Sequence, residues 1–253
     1  MKRYVEHVMG MPISLALRGR HTDDELAAQA WADALDVLHT ADRIFSTYRA
    51  DSHISRLNRG ELTVADCPTE VAEVLRLGER ARLESGGAFD VRRAGVLDPS
   101  GVVKGWAVER AAAAFERLAG TDYCLSAGGD LICRVAGPES EAWRIGIEDP
   151  FGPEKIAAIV PIRNGAVATS GLHRRGPHIT DARNGETPTA LASVTVIHRS
   201  LTHADIDATT AFALGPDGPA WLHARPNRTG LAILVDGTRQ IIGQTDRLSS
   251  RSR

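Results

Sequence analysis

Gly120 divides this chain into two textures. Before it, apolar residues recur three and four apart over three long stretches, the period of a helix with one buried face. After it, short segments rich in Val and Ile are separated by Gly, Pro and Asn, the pattern of strands joined by tight turns. Helices grouped early and strands grouped late do not build the strand-helix alternation of a doubly wound parallel sheet. The expected class is therefore α+β, a mostly antiparallel sheet packed with helices. No internal repeat or low-complexity linker interrupts the chain, so residues 1–243 read as a single domain and 244–253, ending SSRSR, as a frayed tail.

Within the first half, residues 3 to 18 suggest two strands that meet at Met9-Gly10-Met11-Pro12. Thr22 and Glu25 have the spacing of a capping box, and Ala27, Trp31, Ala34, Leu35, Leu38, Ala41 and Phe45 form the apolar face of the helix that follows. A second helix is predicted from Pro68 to about Glu84, stopped by Ser85-Gly86-Gly87, and a third from about Lys104 to Leu118, closed by Gly120. In the second half, YCLSA, DLICRVA, WRIGIED, KIAAIVPI and ASVTVIH are the predicted strands. A helix beginning near Thr202 carries Ala204 to Leu214, and 230–242 reads as a closing hairpin turned at Asp236-Gly237.

Charge and composition exclude several classes of function. Thirty basic residues stand against 32 acidic ones, a net charge of -2 without a basic face, which argues against nucleic acid as a partner. No stretch approaches the roughly 18 apolar residues of a membrane span, and MKRYVEHVMGMPISL lacks the apolar run of a signal peptide. The mature protein is thus expected to start near Met1, without membrane insertion, in the cytoplasm. Cys67, Cys124 and Cys133 fit neither a metal knuckle nor a secreted disulfide framework and read as reduced thiols.

Four segments carry side chains suited to chemistry. LDPSGVVKG, residues 97–105, sets Asp98 and Lys104 around a small-residue turn before a helix, where backbone N–H groups and a lysine suit phosphate oxygens. Capping of the turn by Asp98 and Ser100 explains the same residues. Asp205 and Thr209, four apart on one helix face, would offer magnesium hard oxygen ligands, unless Asp205 only complements the helix dipole while Thr202 caps. Ser126-Ala127-Gly128-Gly129-Asp130 joins two strands, either as a plain hairpin turn or as glycines that let a ligand approach the backbone. His178, in GPHITDARNG, could bind a metal, act as an acid or donate to a phosphate, or be structural. There is no glycine-flanked serine elbow and no dinucleotide fingerprint.

These segments, taken in order with HVMGMPISL, FSTYRADSHISRLNRG, SGGAFDV, WRIGIEDP and SVTVIHRSLTHADIDATTAFALG, resemble the ApbE family of FAD:protein FMN transferases from about Tyr4 to Gly243. The resemblance implies that Met9, Tyr48 and the backbone of Ala88, Phe89 and Asp90 line an FAD site. It places Asp98 and Lys104 beside the flavin nucleotide and the main chain of Thr180 against the cofactor. Gly101 and Ala208 through their carbonyls, with Asp205 and Thr209, match the family's magnesium site. The implied reaction uses FAD as substrate and Mg2+ as cofactor: FMN passes to a Thr or Ser hydroxyl in the flavinylation motif of an acceptor flavoprotein, AMP leaves, Asp98 either orients the cofactor or accepts the hydroxyl proton, and His178 is a candidate proton carrier. Water in place of the acceptor hydroxyl would make a pyrophosphatase, and loss of turnover an FAD-binding carrier. The chain departs from the family in its short Arg92–Val96 segment and in Ser126, Val103, Pro99 and Ser100.

Overall fold

A computed structural model describes residues 1–93, 95–172, 176 and 179–243; His178 and the expected tail at 244–253 lie outside the described residues. The elements run β1 (Lys2–Val8), β2 (Met11–Gly19), α1 (Glu25–Phe45), α2 (His53–Asn58), α3 (Thr69–Glu84), β3 (Arg92–Arg93), β4 (Val96–Leu97), α4 (Ser100–Ala112), β5 (Thr121–Ala127) and β6 (Asp130–Arg134). They continue with β7 (Trp143–Asp149), β8 (Gly152–Ile162), β9 (Asn164–Gly171), β10 (Leu191–His198), α5 (Leu201–Ala213), α6 (Gly218–His223), β11 (Thr229–Leu234) and β12 (Arg239–Ile242).

Eight strands form one sheet in the order β1-β2-β5-β6-β9-β10-β11-β12, with every neighbouring pair antiparallel. The α+β expectation holds. One face of the sheet, including Ile13, Leu15, Leu125, Val194 and Val196, packs against Leu38 of α1, Val102 of α4 and Phe212 of α5. On the other face, Cys133, Leu131, Val167, Ile197 and Ile233 meet Trp143, Val160 and Ile162 of the β7–β8 hairpin. That period-two division between two cores is what the alternating side chains of a strand produce when both faces are covered.

The β1–β2 turn lies where the sequence put it. Val8 pairs with Met11, leaving Met9 (φ +56°) and Gly10 (φ +71°) as a two-residue turn. Two successive positive φ values match the right-handed twist of the flanking strands. Glycine takes the second at no cost, whereas Met9 accepts a conformation that costs an L-residue about 1–2 kcal/mol. The β5–β6 turn at Gly128-Gly129 and the β11–β12 turn at Asp236-Gly237 also fall as expected.

Three helix starts and one strand differ from expectation. The cap of α1 is Asp24, whose side chain accepts from the N–H of Ala27 at 3.0 Å, and not Thr22: the helix starts two residues later than the capping-box spacing implied. Helix α4 begins at Ser100, ahead of Lys104, because Asp98 Oδ1 accepts from the Ser100 N–H at 3.0 Å and Pro99 starts the turn. Helix α5 is capped by Ser200, whose Oγ accepts from the His203 N–H at 3.3 Å, while Thr202 turns to another partner. Strand β9, NGAVATSG, has too little Val or Ile to read as a strand, yet it sits between β6 and β10, where its neighbours supply the pairing.

The orientation of α5 is set by α4. Glu109 accepts from Ser200 Oγ at 2.8 Å, from the Thr202 N–H at 2.9 Å and from Thr202 Oγ1, so one carboxylate fastens the first turn of α5 to the middle of α4. A carboxylate at a helix N-terminus also complements the helix dipole. Glu109→Ala should lower unfolding free energy by about 1–3 kcal/mol, because it strands buried donors; a denaturant titration that finds no loss would contradict this anchoring.

Candidate functional site

A cleft of about 920 Å³ opens where the start of α4, the inner face of α5 and the β1–β2, β5–β6 and β7–β8 turns converge. Its size suits a large organic ligand. The charged centre lies at its floor. Lys104 Nζ meets Asp205 Oδ1 at 3.1 Å and Asp130 Oδ2 more closely still. Asp130 and Asp205 are each 2% exposed. Asp130 Oδ1 accepts from the Thr169 N–H at 2.9 Å, and Asp205 Oδ2 from the Gly105 N–H at 2.9 Å. The intrahelical partner of that last N–H would be the Gly101 carbonyl.

Burial, reinforced by Asp130, pushes the Asp205 carboxyl up to about 7 despite the pull of Lys104. Burial also opposes charge on Lys104, but Asp205 and Asp130 outweigh it and hold the ammonium above the ordinary lysine range. Above about pH 7, where both carboxyls are ionised against one ammonium, the buried group carries a net charge of -1, an arrangement that favours a further cation. Thr209 Oγ1, 3.2 Å from Ser170 Oγ, adds neutral oxygen donors nearby. Among the described residues no three His, Cys, Asp or Glu side chains form a metal cage. One or two carboxylates, completed by waters and substrate phosphates, is how magnesium is commonly held, so the donors present fit that ion.

Close packing brings these groups together. A Cβ on Gly105 would lie 2.8 Å from both Asp205 Cβ and the Leu201 carbonyl oxygen, so only glycine lets α4 and α5 approach this closely. A Cβ on Gly101 would lie 3.0 Å from the Phe89 ring and 3.9 Å from Thr209 Cγ2. The two glycines thus seat the first turns of α4 against the oxygen-bearing side chains of α5, joining two segments 100 residues apart.

The other nominated residues form the walls. Met9, Tyr48, Ala88, Phe89, Asp90, Asp98, Gly101, Lys104, Thr180, Asp205 and Thr209 all line the cleft. Ala88 and Phe89 follow α3 in a turn fixed by Ser85 Oγ, which accepts from the Phe89 N–H at 3.1 Å. The Ala88 carbonyl accepts from the Ala182 N–H at 3.0 Å, and this contact carries the Thr180 segment to the cleft. Tyr48 is 99% exposed at the rim. Ala208 is fully buried in α5 and is not a lining residue.

Sequence reasoning missed Asp130 as a partner of Lys104, although the SAGGDL turn that carries it was singled out. Ser170 and Ser193 were missed as well. The hydroxyls of Thr180 and Ser193 are buried at the cleft without a hydrogen-bond partner among the described residues. Orphaned buried hydroxyls beside a cavity are the groups that a ligand satisfies.

The model of the ApbE family matches residues 9–98 and 92–233. The chain belongs to the ApbE family. An ApbE relative from Klebsiella pneumoniae (strain 342), called FAD:protein FMN transferase, is 34% identical over 131 residues, 48% of this chain and 37% of that protein. One of the same description from Escherichia coli (strain K12) is 32% identical over 149 residues, 55% of this chain and 42% of that protein. The matched region is thus about two fifths of the length of these curated relatives. The ApbE protein of Thermotoga maritima shares the fold at a TM-score of 0.81 and 20% identity, covering 95% of this chain and 96% of its own. The apo flavinyl transferase ApbE of Pseudomonas stutzeri does so at 0.79 and 22%, covering 95% of both chains.

Lys104→Met should cost about 3–5 kcal/mol at pH 8, because it leaves Asp130 and Asp205 facing each other without a cation. The sign with pH follows from Asp205, whose folded value lies above the unfolded one of about 3.9. A folded state that holds the proton more tightly gains stability as pH falls from about 7 toward 4. The variant should therefore recover part of its loss at pH 5, and equal losses at both pH values in metal-free buffer would contradict this charge balance.

Proposed function

We propose that this chain transfers FMN from FAD to a Thr or Ser hydroxyl of an acceptor flavoprotein in a magnesium-dependent reaction that releases AMP. The observation that carries the reading is the buried Lys104–Asp130–Asp205 centre at the floor of a cleft lined by every described residue nominated for FAD. Membership of the ApbE family, with curated relatives called FAD:protein FMN transferase, supports the same chemistry.

FAD would lie with its pyrophosphate over Lys104 and the first turn of α4. The positive end of the α4 dipole and the ammonium offset phosphate charge. Asp98 Oδ1 already holds the Ser100 N–H and hydroxyl, which suits Asp98 to shaping the turn that receives the phosphates. Asp205 and Thr209, with the carbonyls of Gly101 and Ala208, would hold Mg2+, which would supply neutralisation of the charge that develops on the phosphates. Ala88, Phe89, Asp90 and Thr180, which line the same cleft, would meet the remainder of the dinucleotide through their backbone. The exposed ring of Tyr48 and the strained Met9 turn stand at the rim, where a planar ring system can be covered. His178 is assigned the proton of the incoming hydroxyl. Phosphoryl-type transfer needs little covalent chemistry from a protein, so positioning and charge stabilisation account for most of the acceleration.

The test is to incubate the purified protein with FAD, with and without magnesium, beside a candidate acceptor domain carrying the flavinylation motif. AMP is read by chromatography and the acceptor by flavin fluorescence on a denaturing gel. Magnesium-dependent AMP with a fluorescent band is the expected result. AMP with no band for any acceptor would replace this reading with a pyrophosphatase, and bound FAD with no AMP would replace it with a carrier. Asp205→Asn should slow turnover on the order of a hundredfold or more, the scale of losing one charge-stabilising contact. Tyr48→Ala should weaken FAD binding at an unchanged Tm, since so exposed a ring contributes little to the core; unchanged affinity would remove Tyr48 from the site.

A further inference from the structure

Behind the sheet, on the face away from Lys104, two cysteines stand directly opposite each other. Cys124 of β5 and Cys133 of β6 are register partners across the antiparallel pair, and the Cys133 thiol donates to Cys124 Sγ at 3.0 Å. Both are free thiols. Directly opposed residues in antiparallel strands have Cα atoms about 4.5–5.5 Å apart, inside the span that a disulfide bridges without backbone movement. Their neighbours Ala16, Leu131 and Val167 are apolar, and the Arg18 guanidinium is near enough to act weakly on the Cys133 thiol, below the effects of Cys124 and burial. The chain's third cysteine, Cys67, lies near α3 and donates to the Thr63 carbonyl at 3.4 Å.

The geometry points to Cys124 and Cys133 as an oxidation site that a hydroperoxide converts to a reversible cross-strand disulfide. Cys124 is the more exposed of the two, so its sulfur attacks the peroxide oxygen first, forming a sulfenic acid and releasing water or the corresponding alcohol. Cys133 then attacks that sulfur, the S–O bond breaks, and a second water leaves as the S–S bond forms. Two thiols lose two electrons and two protons to the peroxide, which is reduced in exchange, and a dithiol reverses the step. The neighbouring sulfur and burial both push the Cys133 thiol up, which suits it to the resolving role and not to first attack.

The bond would staple the hairpin whose Gly128-Gly129 turn delivers Asp130 to Lys104. Because the sulfurs occupy the opposite face of that hairpin from the cleft, oxidation should leave the Lys104–Asp130 contact in place while tying β5 to β6. The inference needs only the fold and stands whether or not FMN transfer is the chain's activity.

The test uses the purified full chain treated with hydrogen peroxide, then denatured under acid quench for intact mass, thiol titration and peptide mapping. The expected result is a mass lower by two hydrogen atoms, a fall from three titratable thiols to one, and a peptide joining Cys124 to Cys133, all reversed by dithiothreitol. The oxidised protein should also melt at a higher temperature than the reduced one. Cys67→Ser should leave the mass loss intact, and Cys124→Ser should abolish it. Added oxygen in place of lost hydrogen, three thiols still titratable, or a bridge through Cys67 would each overturn the assignment.

Discussion

One ammonium shared by two buried carboxylates holds the centre of this molecule. Lys104, Asp130 and Asp205 come from a helix start, a strand start and a second helix, and no pair of them is closer than 26 residues in sequence. A buried ion group rarely adds net stability over apolar packing, but each member fixes where the others must be. Here it fixes α4 against α5 and both against the β5–β6 turn. The cleft above it is a consequence: Gly101 and Gly105 allow the helices to close, Glu109 sets their angle, and the turns around them supply the walls.

Much of the fold was legible from periodicity because amphipathic spacing reflects burial directly. The face of α1 read from the sequence includes Ala27, Ala34, Leu38, Ala41 and Phe45, all buried in the structure. Turns with Gly at positive φ were found for the same reason, since few other residues take that conformation. What escaped was decided by contacts distant in sequence. Strand β9 is made largely of Gly, Ala, Thr and Ser, and becomes a strand because β6 and β10 offer their edges. Thr202 looks like a cap but turns to Glu109, 93 residues away, and Ser200 caps instead. A local reading of helix starts has no access to such a partner.

The site was legible in pieces. The LDPSGVVKG segment and the Asp205-Thr209 pair each had a plain structural explanation, and only the first is partly true: Asp98 does cap the turn of α4, whereas Asp205 accepts an N–H of α4 and not of its own helix. Two ordinary helix starts have no reason to converge, yet both segments line one cleft. Asp130 shows the limit most clearly, since nothing in SAGGDL says that its carboxylate meets a lysine 26 positions earlier. Of the departures from the family pattern, Ser100 joins Asp98 in shaping the turn and Val103 is a buried residue of the cleft wall.

If pyrophosphate and metal meet at this centre, a paramagnetic ion placed there must be felt by the phosphorus atoms of bound FAD. The decisive measurement is the 31P relaxation of FAD bound to the protein, with Mn2+ in place of Mg2+, in the natural chain and in Asp205→Asn. The account predicts strong broadening of both phosphorus resonances in the natural chain and its loss in the variant at matched FAD occupancy. Equal broadening in both proteins, or none in the natural chain with FAD bound, would contradict it.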